Sequence, residues 1–178
     1  MLLKWIRCEV DEEKKTAFSA AQEKWRSLKG CPGFLGQIGG WNAAETQEAC
    51  ILAFWENLNF YQSFMSDKHD EIFEQSGQKG TYQKISVDIV EVKQPTEFNH
   101  MSMTEVLQKS KMLYVVHSNR LKEKHPLSHT IKQDKHILAT FLSENQLAVL
   151  CASLELSLSE WKNTPHTQVK LESAWTVI

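Results

Sequence analysis

No apolar run in this 178-residue chain is long enough to cross a bilayer. The longest are strand-sized, against the roughly 20 residues a membrane helix needs. A surplus of one charge is also missing: 20 Lys and Arg stand against 22 Asp and Glu, a formal net charge of −2. No broad basic surface for nucleic acid or an anionic membrane is therefore expected. Cysteine is sparse, and Cys8, Cys31, Cys50 and Cys151 show neither the paired spacing of a zinc finger nor that of a redox motif. With no apolar leader ahead of them, they read as reduced thiols of a soluble, cytoplasmic protein. What the chain has instead is aromatic bulk, six Trp and eight Phe, whose ordinary use is core packing because each buries a large area. At this length one fold, or two small ones, can bury roughly 70% of the unfolded surface.

The most legible stretch is 33–64, GFLGQIGGWNAAETQEACILAFWENLNFYQSF, which reads as strand, loop, strand, helix. In CILAFW, side chains alternate: Ile51, Ala53 and Trp55 share one face, Cys50, Leu52 and Phe54 the other. Both faces are apolar. A sheet wetted on one side alternates polar with apolar, so this strand asks for cover on both sides. Helices supply one cover, and a second sheet, from this chain or from a partner subunit, must supply the other.

Taken in order, MLLKWIRCEV is a first strand with Leu3, Trp5 and Arg7 on one side and Leu2, Lys4, Ile6, Cys8 and Val10 on the other. Asp11 is positioned to cap a helix bearing Phe18, Ala21, Trp25 and Leu28 at helical spacing. Gly36, Gly39 and Gly40 in the next strand imply a bulge, a close approach, or room beside Trp41 for a ligand. After the third strand, Asn57 caps a helix, Ser66-Asp67 interrupts it, and a short second piece carries Ile72 and Phe73. YQKISVDIVEV is the fourth strand, with Ile85, Val87 and Ile89 facing inward. The order β-α-β-β-α-β is the ferredoxin-like arrangement.

Residues 95–110 read as a connector with a short helix over 104–108, separating a first domain, 1–94, from a second, 111–178. In the second, KMLYVVHSNRL, HILATFLSE, QLAVLCASLEL and VKLESAWTVI form a four-stranded antiparallel sheet, with a tight turn near Glu144-Asn145. HPLSHTIKQD and SLSEWKNTP fall where two helices would lie if this half were a degenerate repeat of the first. An unrelated four-stranded appendage is the other reading. The expected class is α+β.

GFLGQIGGW followed by CILAFWENLNFYQSFMSD resembles the dimeric α+β barrel superfamily that includes antibiotic-biosynthesis-type monooxygenases, over about the first half of the chain. The resemblance implies two sheets packed face to face as a barrel, closed within one chain or across a homodimer. It implies no single reaction: members oxidise polyaromatic substrates without metal or flavin, or degrade haem, or have no assigned activity. The haem-degrading pattern would need a Trp at Phe64, a His at Glu74 and an Asn near Arg7 or Cys8, and none is present. No cofactor is implied.

The candidate site follows. His69 is the candidate base at the mouth of a pocket between helix and sheet, and Arg7 the candidate holder of a substrate carboxylate or phenolate. Trp5, Trp41, Trp55, Tyr61 and Phe64 are the candidate walls for a small apolar or aromatic molecule, unless they serve only as core. His125, His129, His136 and Asp134 are the densest group of potential metal ligands, but lack metal-site spacing beyond one pair four apart, so no metal is expected. The functional expectation is an oxygenase without cofactor, or a binder of a small aromatic molecule. The alternative is a non-catalytic assembly or stress-response protein with no ligand pocket.

Overall fold

Residues 1–92, 97–98, 101–117, 135–143, 147–156 and 166–178 are described by a computed structural model of the chain. Strand β1 (Leu2–Glu9) leads into a helical segment, and β2 (Phe34–Asn42) and β3 (Glu48–Trp55) follow as a hairpin. Helices α2 (Leu58–Asp67) and α3 (His69–Ser76) then return the chain to β4 (Lys84–Glu91). Register runs antiparallel throughout, giving the order β4-β1-β3-β2. This is the β-α-β-β-α-β unit read from the sequence.

The expected first helix is less regular than its periodicity implied. Only α1 (Lys15–Glu23) is α-helical, between 3-10 turns at Glu12–Lys14 and Lys24–Leu28. Asp11 makes no side-chain cap; its carboxylate instead accepts a hydrogen bond from Gln83 Nε2 at 2.7 Å. Asn57 does cap α2, accepting from the Phe60 N–H at 3.1 Å. Lys68, at φ −134°, makes the break between α2 and α3.

The second half supplies β6 (Met112–His117), β7 (Ile137–Leu142), β8 (Leu147–Ala152) and β9 (His166–Leu171). Their order, β9-β6-β8-β7, repeats that of the first half, fourth strand to first to third to second. A two-residue strand, β5 (Glu97–Phe98), pairs with β7. The expected turn at 144–145 and the two expected helical segments lie outside the described residues. The last ten residues are not one strand: after β9 the chain makes a 3-10 turn at Ser173–Trp175, and Val177 bridges to Gln37. Trp175 is buried against Phe18 and Trp41, which explains why the end of the chain folds back.

The two half-sheets join through β2 and β9, which pair at Gly40↔Leu171, Trp41↔Lys170 and Asn42↔Val169. Here the strand glycines find their reason. A Cβ at Gly40 would run into the Lys170 carbonyl oxygen, and one at Gly39 would sit 2.9 Å from the Cys50 oxygen and 3.1 Å from the Trp175 ring. The space is filled by protein, so it is close approach rather than room for a ligand that these glycines serve; the strand's bulge lies earlier, between Phe34 and Gly36.

Both apolar faces of β3 are covered, as its pattern required. Cys50, Leu52 and Phe54 pack into one cluster with Leu113, Val115, Phe141 and Val149 of the second half-sheet, and the Phe54 and Phe141 rings lie 5.0 Å apart. The mate of the first sheet is thus the second half of the same chain. Helix α4 (Met103–Lys109), opened by a Ser102–Glu105 capping box, buries Val106 and Leu107 in that cluster, so the expected connector carries part of the barrel core. On the opposite face, Ile51, Ala53 and Trp55 meet α1, α2 and α3. Strand β4 departs from expectation. Ile85, Val87 and Ile89 face the helices but are 51%, 43% and 41% exposed, because β4 ends the sheet and the helices do not reach over it.

Candidate functional site

Where the helices arch over the sheet they leave a cavity of about 380 Å³. Its floor is the even side of β1 (Lys4, Ile6, Cys8) with Ile51, Ala53 and Trp55 of β3 and Gln37 of β2. The roof comes from the segment after α1 (Trp25, Leu28), from α2 (Tyr61, Phe64, Met65) and from α3 (His69, Phe73). Ile85 and Val87 form the remaining wall, and their exposure makes the β4 edge the mouth. Helix and sheet packed without such a gap would be the norm for a core, which tolerates few voids larger than a water molecule.

Four of the residues singled out from the sequence meet at this cavity: His69, Trp55, Tyr61 and Phe64. Trp55 packs on Phe64 with ring centroids 4.8 Å apart and on Tyr61 at 5.9 Å. The other three stand elsewhere. Trp5 and Arg7 occupy odd positions of β1, and the strand's alternation turns them to the barrel face, away from the cavity. Arg7 there reaches Asp88 on β4 at 3.6 Å. Trp41 is on the helix side but belongs to the neighbouring cluster with Phe18 and Trp175, where it serves packing. Of the histidine group, His125, His129 and Asp134 lie outside the described residues. Among the described residues, no three His, Cys, Asp or Glu side chains come together as a metal centre.

His69 opens α3, and its ring is held on three sides, by Trp25, Phe64 and a stacked Phe73. Adjacent helical positions ordinarily diverge. At this first turn, however, the imidazole Nδ1 lies 2.8 Å from the Asp70 carboxylate. A carboxylate only accepts, so in the neutral ring Nδ1 carries the proton and Nε2 is the basic nitrogen. Such a histidine is equipped to take a proton.

Lys4 is the functional candidate that sequence reading passed over. Its side chain is 8% exposed, with the ammonium 5.3 Å from the centre of the Tyr61 ring and 3.9 Å from Met65 Sδ. No carboxylate pairs with it among the described residues. Burial pulls its pKa down from 10.5 to about 8. The only signal in the sequence was a lysine on the otherwise apolar side of β1. Two more donors share its plight: Gln37 Nε2 and Trp55 Nε1 are buried with no hydrogen-bond partner. By contrast Trp25 donates to Gln78 Oε1, and Gln78 in turn to Gln22, so the cavity's far polar side is satisfied. Cys8 is no nucleophile here, since burial, helped by Glu48, pushes its thiol up to about 12. Burial likewise raises Tyr61 and Tyr82.

Comparison with known proteins fits this architecture. The putative monooxygenase of Lactobacillus acidophilus NCFM superposes with a TM-score of 0.65 over 99% of this chain and 95% of its own, at 11% identity. An anthrone oxidase-like protein does so with a TM-score of 0.61 over 96% and 91%, at 8% identity. Likeness at such identities is one of fold, that of the dimeric α+β barrel. No helix among the described residues is long and apolar enough to cross a membrane. At the level of sequence, the chain is 39% identical to the uncharacterized protein YdbC of Bacillus subtilis over 97 residues, 53% of this chain and 82% of that one. The model of the domain of unknown function DUF4937 matches residues 2–90, the half that builds the cavity, and the chain belongs to that family.

Proposed function

We propose that the cavity takes a flat, mostly apolar aromatic molecule and that the protein oxidises it with molecular oxygen, without a resident cofactor. The observation carrying this reading is the cavity itself: a largely apolar floor that includes Trp55, a roof of Trp, Tyr and Phe, and one oriented histidine, His69, at hand. Small-molecule sites have this makeup, apolar walls with a few placed polar groups. The monooxygenase-like fold supports the choice of reaction by analogy.

The protein's share of the chemistry would be deprotonation and confinement. With anthrone as probe, the methylene carbon loses a proton to His69. The resulting anion passes one electron to O2, and recombination of the two radicals forms the C–O bond. The peroxide takes the proton back from His69, and loss of water then leaves the quinone. One O2 is consumed and one water released for each quinone formed.

Oxygen uptake with anthrone near pH 7, read together with the quinone absorbance, tests this. Wild type is expected to exceed the spontaneous rate, and His69→Ala to lose about 10²-fold in kcat, the lower end of what a general base contributes. Oxygen uptake no faster than in buffer, across anthrone and a panel of naphthols, would refute the oxidase reading. A rate unchanged in His69→Ala would remove His69 from its role.

A further inference from the structure

Lys4, Ala53 and Gln37 form one row across the sheet, since Lys4 pairs with Ala53 from β1 and Gln37 pairs with Ala53 from β2. With adjacent strands about 4.8 Å apart, Lys4 and Gln37 stand about 10 Å apart at their Cα atoms, on either side of a methyl group. Trp55 is the next residue along β3 on the same face. A small residue between two long ones leaves the centre of the row open, and all four line the cavity. The side chains of Lys4, Gln37 and Trp55 are 8%, 3% and 1% exposed. Each presents an N–H donor, and none has an oxygen acceptor among the described residues. An ammonium held only by a ring face and a thioether is poorly compensated for its burial. Polar groups in such places ordinarily find partners.

We propose that Lys4, Gln37 and Trp55 form an oxyanion seat at the floor of the cavity, which selects flat aromatic ligands bearing one anionic oxygen: a phenolate, an enolate or a carboxylate. This rests on the cavity being a ligand site, and it names the ligand's class. The aromatic body lies between Trp55, Tyr61 and Phe64, and the oxygen points down to the row. For the oxidation proposed above, the same seat would hold the enolate that forms when the proton leaves.

The other titratable groups facing the cavity are Tyr61 from α2, His69 from α3, Tyr82 ahead of β4 and Cys8 from β1; β3 and β4 contribute only Ile51, Ala53, Trp55, Ile85 and Val87. None is a carboxylate, so Lys4 has no internal rival for an anion there.

The test is calorimetric titration, checked by tryptophan fluorescence, with 2-naphthoate and with its near-isosteric neutral amide, 2-naphthamide. Wild type at pH 7 is expected to bind naphthoate at least tenfold more tightly than the amide. In Lys4→Met that ratio should collapse toward one through loss of naphthoate affinity, while amide affinity holds within about twofold. Gln37→Leu should weaken naphthoate in the same direction. On wild type alone, naphthoate affinity should fall as pH rises above about 8, where Lys4 loses its charge, and that fall should be absent from the amide. If both probes bind wild type equally, or if Lys4→Met leaves the ratio unchanged, the oxyanion seat is wrong and the aromatic cavity stands. If neither probe binds, the cavity is not a ligand site and both proposals fail.

Discussion

Lys4→Met is expected to make the protein more stable at pH 7 while weakening its hold on aromatic anions. Proton linkage sets the sign. In the unfolded chain a lysine keeps its charge up to 10.5; in the fold, burial lowers that to about 8. Below pH 8 both states carry the proton, and the fold bears the full cost of a buried ammonium, about 3 kcal/mol. Between 8 and 10.5 the folded state has released the proton and the unfolded state has not, so stability from this group rises with pH. Methionine has nearly the same length and no charge. Replacing Lys4 by it should remove the cost at pH 7, less the modest attraction to the Tyr61 ring. For a domain of this size, a gain of about 2–3 kcal/mol raises Tm by roughly 5–10 °C. The difference between variant and wild type should shrink through pH 8–10.5 and vanish above it. A variant less stable than wild type at pH 7 would mean that the ammonium is satisfied inside the protein, and the case for an anionic ligand would lose its main support. A group that costs stability and contributes to binding is the usual signature of a site rather than of a core.

Gly40→Ala has the opposite expectation, a loss of about 3 kcal/mol or more, at or beyond the upper end of the ordinary range for single substitutions. The added methyl meets the Lys170 carbonyl oxygen and, at 2.8 Å, the Leu171 Cα. These are backbone atoms of the neighbouring strand and cannot rotate aside. The pairing of β2 with β9 spans three register positions, so easing the collision means opening the joint between the half-sheets. Urea denaturation should show a lower midpoint. Hydrogen exchange should show faster exchange of the Glu172 and Ala43 amides, which donate across this joint to the Gly39 and Gln168 oxygens, ahead of those in β1 and β3. The cavity lies on the helix side of the sheet, whereas Gly40 pairs with Cys50 on the barrel side. The folded fraction should therefore still bind naphthoate, and that separates a damaged joint from a damaged site. A midpoint within about 0.5 kcal/mol of wild type would show that the strands can part without loss.

How far the sequence could be read differs from residue to residue for physical reasons. In β3 the apolar character of both faces dictated a sheet on one side and helices on the other, and this holds because solvation is a property of each face by itself. His69 and the Trp55, Tyr61 and Phe64 trio were legible as candidates, since they fall at the helix start and on faces that periodicity defines. Lys4 and Arg7 show the limit. Both interrupt the apolar pattern of β1, three residues apart, and alternation alone says they face opposite ways. Nothing in the spacing says which side holds a cavity. Arg7 was the natural choice for gripping an anion, yet it lies on the barrel face beside Asp88, and the lysine lies under the helices. The apolar side chains of β4 were expected inside for a related reason: alternation marks a face but not whether the helices extend far enough to cover it.

By itself, then, the chain determined its α+β class, the β-α-β-β-α-β order of its first half and the need of that sheet for a second one, because periodicity and burial are written locally in the order of side chains. Only the tertiary structure decided that the second sheet comes from the same chain, that Gly39 and Gly40 admit a strand and a Trp ring rather than a ligand, and that Lys4, Gln37 and Trp55, each without an oxygen partner among the described residues, line one cavity under an aromatic roof. Those outcomes depend on distances between residues far apart in sequence, on how closely helices settle on a sheet, and on which polar groups are left without a partner once they have.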